Sequence, residues 1–176
     1  MRSGTDQGGD DAQFSEFVAA RWGALVHTAY LLTGDFHEAE DLVQTTLAKM
    51  YPQWRRIRED GVASYLRRAL VNNNRSRVRR RRVTQLLMPF LPETPSPPSG
   101  AGEDRDLLVA ALAGLPERQR AVVVLRYWED LSLEQVAHEL GCSVGTVKSQ
   151  ASRALAKLRA DPTLADQAAY LMGANS

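Results

Sequence analysis

One cysteine and three histidines in 176 residues leave little material for covalent or metal chemistry. A lone Cys142 excludes an internal disulfide. The histidines show no H-E-x-x-H pattern and the cysteine no C-x-x-C partner, so a metal centre lacks ligands. No glycine-rich phosphate loop is present. The expectation is a protein with no cofactor, no metal and no enzymatic activity of its own. Apolar runs all fall short of the roughly 18–20 residues that cross a bilayer, and the polar start from Met1 to Asp11 does not look like a signal peptide. A cytoplasmic chain with no direct membrane insertion is therefore expected. What remains, 44% hydrophobic and 24% charged residues, is ordinary for globular domains.

The net charge of +1 hides a strong segregation by sign. Residues 1–54 carry three basic and eight acidic side chains, whereas residues 55–82 carry eleven arginines against Glu59 and Asp60, a local +9. Residues 83–176 return to eight bases against eleven acids. Within that block Val144 to Ala160 holds Lys148, Arg153, Lys157 and Arg159 with no acid. Two basic segments thus lie on opposite sides of a spacer.

In the spacer Pro89, Pro92, Pro95, Pro97 and Pro98 alternate with serine, glycine and glutamate, which neither continues a helix nor builds a core. The expected fold is all-α: two small helical domains, residues 14–85 and 106–160, joined by a Pro-rich linker over 86–105. A disordered N-terminal tail (1–13) and a short C-terminal tail (161–176) complete the expected organisation.

In the first domain Phe14, Val18, Leu25, Ala29 and Leu32 recur at helical spacing until Gly34. Asp35 with Glu38 resembles a capping box before a second helix whose stripe is Ala39, Val43, Thr46, Leu47, Met50 and Trp54. A loop with Gly61 leads to a third helix from about Val62, with Val62, Leu66, Ala69, Leu70 and Asn73 inward. On its other side Tyr65, Arg68, Asn72, Arg75 and Arg79 share a stripe roughly 80° wide at 100° per residue. A ring or guanidinium plane stacks on bases, an amide bonds a base edge and arginines neutralise phosphates, so the stripe suits single-stranded nucleic acid.

In the second domain Leu115-Pro116 opens a helix through the apolar segment Ala121 to Tyr127, and Glu129-Asp130 ends it. Ser132 with Gln135 then forms a capping box before Leu133, Val136, Ala137 and Leu140; Gly141 turns the chain; Ser143 caps a last helix with Val147, Ala151, Ala154 and Leu158 inward. This is the spacing of a helix-turn-helix. The outward side of its second helix presents Gly145, Ser149, Ser152 and Arg153, with Thr146, Lys148 and Gln150 on the flanks, small and basic groups able to enter a major groove.

These residues resemble the bacterial extracytoplasmic-function (group 4) sigma factors of the sigma-70 family, from about Phe14 to Ala160. The carriers are Glu38-Ala39-Glu40-Asp41-Leu42-Val43-Gln44, Tyr65-Leu66-Arg67-Arg68 through Asn72 to Arg82, and Leu115-Pro116 with Arg118-Gln119-Arg120. The run Leu140-Gly141-Cys142-Ser143-Val144-Gly145-Thr146-Val147-Lys148-Ser149 is the most specific. The Arg- and Ala-rich composition is similar to actinobacterial members of the SigE-type subgroup.

The resemblance implies a fold, sigma region 2 followed by a region 4 helix-turn-helix, and a function, transcription initiation. Glu40, Asp41 and Gln44 would dock on the β′ clamp helices of core RNA polymerase, whose β subunit is also a partner. Tyr65, Arg68, Asn72, Arg75 and Arg79 would bind the minus-ten promoter element. Thr146, Lys148, Ser149, Ser152 and Arg153 would read the minus-thirty-five element as duplex. An anti-sigma factor is a further partner the resemblance admits, and the place of action would be the nucleoid. The competing interpretation is a stand-alone helix-turn-helix regulator, which leaves the Tyr65 to Arg79 stripe without a purpose.

Overall fold

A computed structural model of the chain describes residues 4–87 and 103–161, and among the described residues there is no strand. The first helix, α1 (Gly4–Thr33), ends at Gly34, whose φ of 80° lies in the left-handed region that favours glycine. Asp35 then caps α2 (Phe36–Met50) by accepting the Glu38 backbone N–H at 2.8 Å. Only half of the expected capping box forms. The Asp35 N–H is held by Thr33 Oγ1, while the Glu38 carboxylate turns to Arg77 and Arg81.

Pro52 sits in a single 3-10 turn, Tyr51–Gln53, which separates α2 from a short helix α3 (Trp54–Asp60). Two expectations change here. Trp54 begins a new helix instead of finishing the second, and the segment expected as a loop before Gly61 is helical. Gly61, with φ 108°, breaks α3 from the long α4 (Val62–Leu87).

Of the expected disordered tail over 1–13, residues 1–3 lie outside the described residues and the rest is corrected, because α1 is helical from Gly4. The physical reason lies across the bundle: the Asp10 carboxylate pairs with Arg55 at 2.9 Å, and Asp11 accepts the Tyr51 hydroxyl. That bond raises the Tyr51 phenol above its ordinary pKa. Phe14 meets Tyr51 and Trp54 edge-on at 5.1 and 5.3 Å, and Phe17 lies 5.0 Å from Trp54.

Of the segment expected as the Pro-rich linker, residues 88–102 lie outside the described residues, as does the expected C-terminal tail beyond Asp161. Helix α5 (Glu103–Ala113) was not anticipated as a separate element. After Leu115-Pro116 come α6 (Glu117–Val123) and one π turn, Val124–Trp128; Asp130 at φ 51° then redirects the chain. Helices α7 (Leu133–Leu140) and α8 (Val144–Ala160) follow, with Gly141 between them at φ 60°. Ser132 and Gln135 make the full reciprocal capping box, a cap contributing about 1 kcal/mol. Helix α8 buries Val147, Ala151, Ala154 and Leu158, the four residues expected inward.

The two halves pack together. Thr28, Ala29, Tyr30, Leu31 and Leu32 of α1 are all buried. Five consecutive positions go all the way round a helix, so no single amphipathic face accounts for them. Helix α2 covers one side of α1, and α5 with α6 covers another. Gly34 marks how closely they approach, since a Cβ there would lie 3.2 Å from Ala113 Cβ. Arg120 fastens the seam: Nη1 donates to Leu32 O at 2.8 Å, and Nη2 donates to Ala113 O at 2.6 Å and Leu115 O at 3.2 Å. One guanidinium thereby satisfies carbonyls at the ends of α1 and α5. Burial lowers its pKa, and Glu117 partly offsets that.

Candidate nucleic-acid interface

Helix α4 is the longest basic element, and its neighbours decide which of its polar groups face outward. Asn73 is held on the α2 side: Lys49 Nζ donates to its Oδ1 at 2.7 Å, and its Nδ2 donates to Thr46 Oγ1 at 3.0 Å. Asn74 is buried, with Nδ2 donating to Leu32 O at 3.4 Å. Arg77 and Arg81 are drawn to Glu38, Arg77 also donating to the Glu38 carbonyl. These attachments orient α4 so that Asn72, Arg75 and Arg79 are exposed on its other side.

Those three residues line a cleft of about 650 Å³ together with Ser76, Arg82 and, from the second half, Pro116, Glu117, Arg118 and Leu140. Four guanidiniums around one amide make a site for a polyanion. The stripe is divided, however. Its beginning lies elsewhere on the seam: Tyr65 is half-buried against the core, and Arg68 sits 3.6 Å from the Glu139 carboxylate.

On α2 the expected docking residues face outward, Asp41 and Gln44 exposed and Glu40 half-buried with its carboxylate 4.0 Å from the His37 ring. Asp41 and Gln44 line a groove of about 310 Å³ with Lys49, Asn73, Arg77 and Arg80. The opposite face of the helix, Ala39, Leu42, Val43 and Thr46, is buried, so the outward face is available for a partner.

In the helix-turn-helix, the Ser143 hydroxyl accepts the Thr146 N–H at 3.1 Å, fixing the first turn of α8. Thr146 is half-buried; its side-chain hydroxyl lies 2.9 Å from that of Ser143, and its carbonyl accepts the Ser149 hydroxyl at 2.9 Å. Lys148, Ser149, Ser152 and Arg153 are exposed on one side, opposite the buried face. At the start of α7, the Glu134 carboxyl has a lowered pKa, chiefly from a backbone hydrogen bond and then from Ser132. The arrangement offers a rigid basic helix to a groove, supported by α6 and α7.

Three residues of consequence were missed as members of these sites. Arg82 and Arg118 complete the cleft, and Glu139 is buried although it is charged. Periodicity along α4 places Arg82 three residues beyond Arg79 and signals it; the other two depend on how the halves meet.

Comparison with known proteins yields matches over both halves. Residues 18–84 match the family model of sigma-70 region 2, and residues 105–158 match that of sigma-70, region 4. The chain is 42% identical over 153 residues to the RNA polymerase sigma-E factor of Streptomyces coelicolor, covering 86% of each. It is 32% identical over 155 residues to the ECF RNA polymerase sigma factor SigL of Mycobacterium tuberculosis, covering 84% of this chain and 85% of the relative. Among solved structures, the sigma factor RpoE of Bartonella quintana, in complex with the anti-sigma factor NepR, aligns with a TM-score of 0.66 at 26% identity. That alignment spans 93% of this chain and 99% of the other.

Proposed function

We propose, from the premise that this chain belongs to the extracytoplasmic-function group of sigma-70 factors, that it is the promoter-reading subunit of a bacterial RNA polymerase. It binds core enzyme, recognises promoter DNA and promotes strand opening, while the polymerase carries out nucleotide addition. Its place of work is therefore the cytoplasm, at the nucleoid. The observation that carries this interpretation is the pairing of two chemically different basic surfaces on one chain. One is the amide and guanidinium cleft of α4; the other is the outward face of α8.

Each surface suits a different form of DNA. Helix α8 presents Lys148, Ser149, Ser152 and Arg153, with Thr146 at its edge, to the major groove of the minus-thirty-five duplex. Helix α4 meets the minus-ten element once its strands part. Extruding a base costs a few kcal/mol, which stacking on Tyr65 and hydrogen bonding by Asn72 offset, while Arg68, Arg75 and Arg79 neutralise the phosphates. Docking through Glu40, Asp41 and Gln44 on the β′ clamp helices, with further contact to the β subunit, fixes the spacing of the two surfaces and makes their engagement bivalent. An anti-sigma factor, such as the one bound to the Bartonella relative, is a proposed partner as well.

Titration of fluorescently labelled protein into bacterial core polymerase tests the proposal. Saturable nanomolar binding is expected, and Asp41→Arg should abolish it without unfolding the chain, because Asp41 is exposed. Unchanged affinity in the variant would remove the docking assignment. Absence of core binding in the parent, with tight duplex binding by a homodimer, would point instead to a stand-alone helix-turn-helix regulator.

A further inference from the structure

Six arginines lie between positions 75 and 82 of α4, and a helix charged on every side attracts a phosphate backbone from any direction. At 100° per residue Arg75, Arg79 and Arg82 share a sector about 60° wide, whereas Arg77 and Arg81 share one about 40° wide on the far side of the helix. Arg80 falls between them. The first three line the cleft that also holds Asn72. The two on the far side are met by a single residue of α2.

Glu38 stands in the first turn of α2, its side chain 18% exposed. Arg77 Nη2 lies 2.7 Å from its Oε2, and Arg81 Nη2 pairs with its Oε1. Arg77 Nη1 also donates to the Glu38 carbonyl at 2.8 Å, so that guanidinium is held at two points. Hydrogen bonds between such charged partners are the strong ones. The carboxylate is free for this task because Thr33 Oγ1, and not Glu38, holds the Asp35 N–H. Lys49, Arg80 and Asp41 border a groove on the same side of α4. With Glu38 uncharged, that side, Arg77 and Arg81 included, would carry as much positive charge as the cleft.

We propose that Glu38 is a positioning residue that decides which face of α4 a DNA strand occupies: it withdraws Arg77 and Arg81 from phosphates and so confines the strand to the face that bears Asn72. The amide that meets a base and the arginines that hold the backbone are then engaged together. On the opposite face the Asn73 amide is committed to Lys49 and Thr46, so a strand held there would go unread by it.

This inference rests on the assignment of α4 to single-stranded DNA, and separate variants test the assignment and the sorting of its arginines. The probe is a labelled single-stranded oligonucleotide of mixed sequence, titrated with the full chain at several salt concentrations. The slope of log affinity against log salt counts phosphate contacts at about 0.7 each. Arg79→Gln should lower that slope by about 0.7; an unchanged slope, or no binding by the parent, would remove the assignment of α4 itself. Arg81→Gln alters a side chain that is 64% exposed, yet should leave the slope as in the parent, because Arg81 is committed to Glu38. A slope lowered as in Arg79→Gln would show Arg81 already on a phosphate and overturn the sorting, whether or not a Glu38 variant folds. Glu38→Gln should steepen the slope by about 0.7–1.4, one or two added contacts. In that background Arg79→Gln should cost less affinity than in the parent, since the strand has a second face to occupy, and adding Arg77→Gln with Arg81→Gln should restore the parental slope. A plain structural tether predicts the reverse, weaker binding with no added contacts, so a slope in folded Glu38→Gln no steeper than the parent's overturns the proposal.

Discussion

Asn72 and Asn73 are adjacent in α4 and serve opposite ends. Asn73 spends its amide on Lys49 and Thr46, whereas Asn72 opens into the arginine-lined cleft. Asn72→Ala should leave stability within about 0.5 kcal/mol of the parent, as for surface substitutions generally, and should leave core binding intact. What should fall is open-complex formation, read as permanganate reactivity of melted thymines in the promoter. Undiminished reactivity would sink the role given to Asn72. Asn73 inward and Asn72 outward were both legible from the helical period alone. The burial of Asn74 and Glu139 was not, because each is explained by a partner far away in sequence: Leu32 for the first, and Ser64, Arg67 and Arg68 for the second.

Among the elements, α7 and α8 were the most readable, because their ends are written in local chemistry. Ser132, Gln135, Gly141 and Ser143 act on neighbours within a turn, and the structure uses all four as the spacing implies. At Gly141 an added Cβ would meet nothing within 4 Å, so the strain of a substitution comes from the positive φ alone. Gly141→Ala should cost about 1–2 kcal/mol. For a chain of this size that lowers Tm by roughly 2–8 °C, measurable by calorimetry. Gly141→Asn, which tolerates the left-handed region, should lose less; equal losses would mean that space decides, contrary to the geometry. Helices α3 and α5 escaped notice for identifiable reasons. The seven residues of α3 contain three arginines and two acids, and Ile57 is its one aliphatic side chain, so no stripe can show. In α5 the apolar residues from Leu107 to Ala113 run without interruption, and that continuity masks the period.

For the molecule as a whole, the sequence announced two helical units and a proline-rich spacer, but not that the units share a core. Pattern along one helix reports which face is apolar and is silent about which neighbour covers it. The five buried residues from Thr28 to Leu32 therefore read as one more amphipathic stripe until α5 and α6 are seen against them. That shared core leaves a calorimetric mark on assembly. Parting the halves brings water to apolar surface and raises heat capacity, whereas docking on a polymerase removes water from another surface and lowers it. The measured change on binding should be less negative than the docked area alone implies. Titrations at several temperatures give that change, and a value equal to the one implied by the docked area would mean that the halves stay together. A difference would measure how much of the free protein's interior becomes surface when it goes to work.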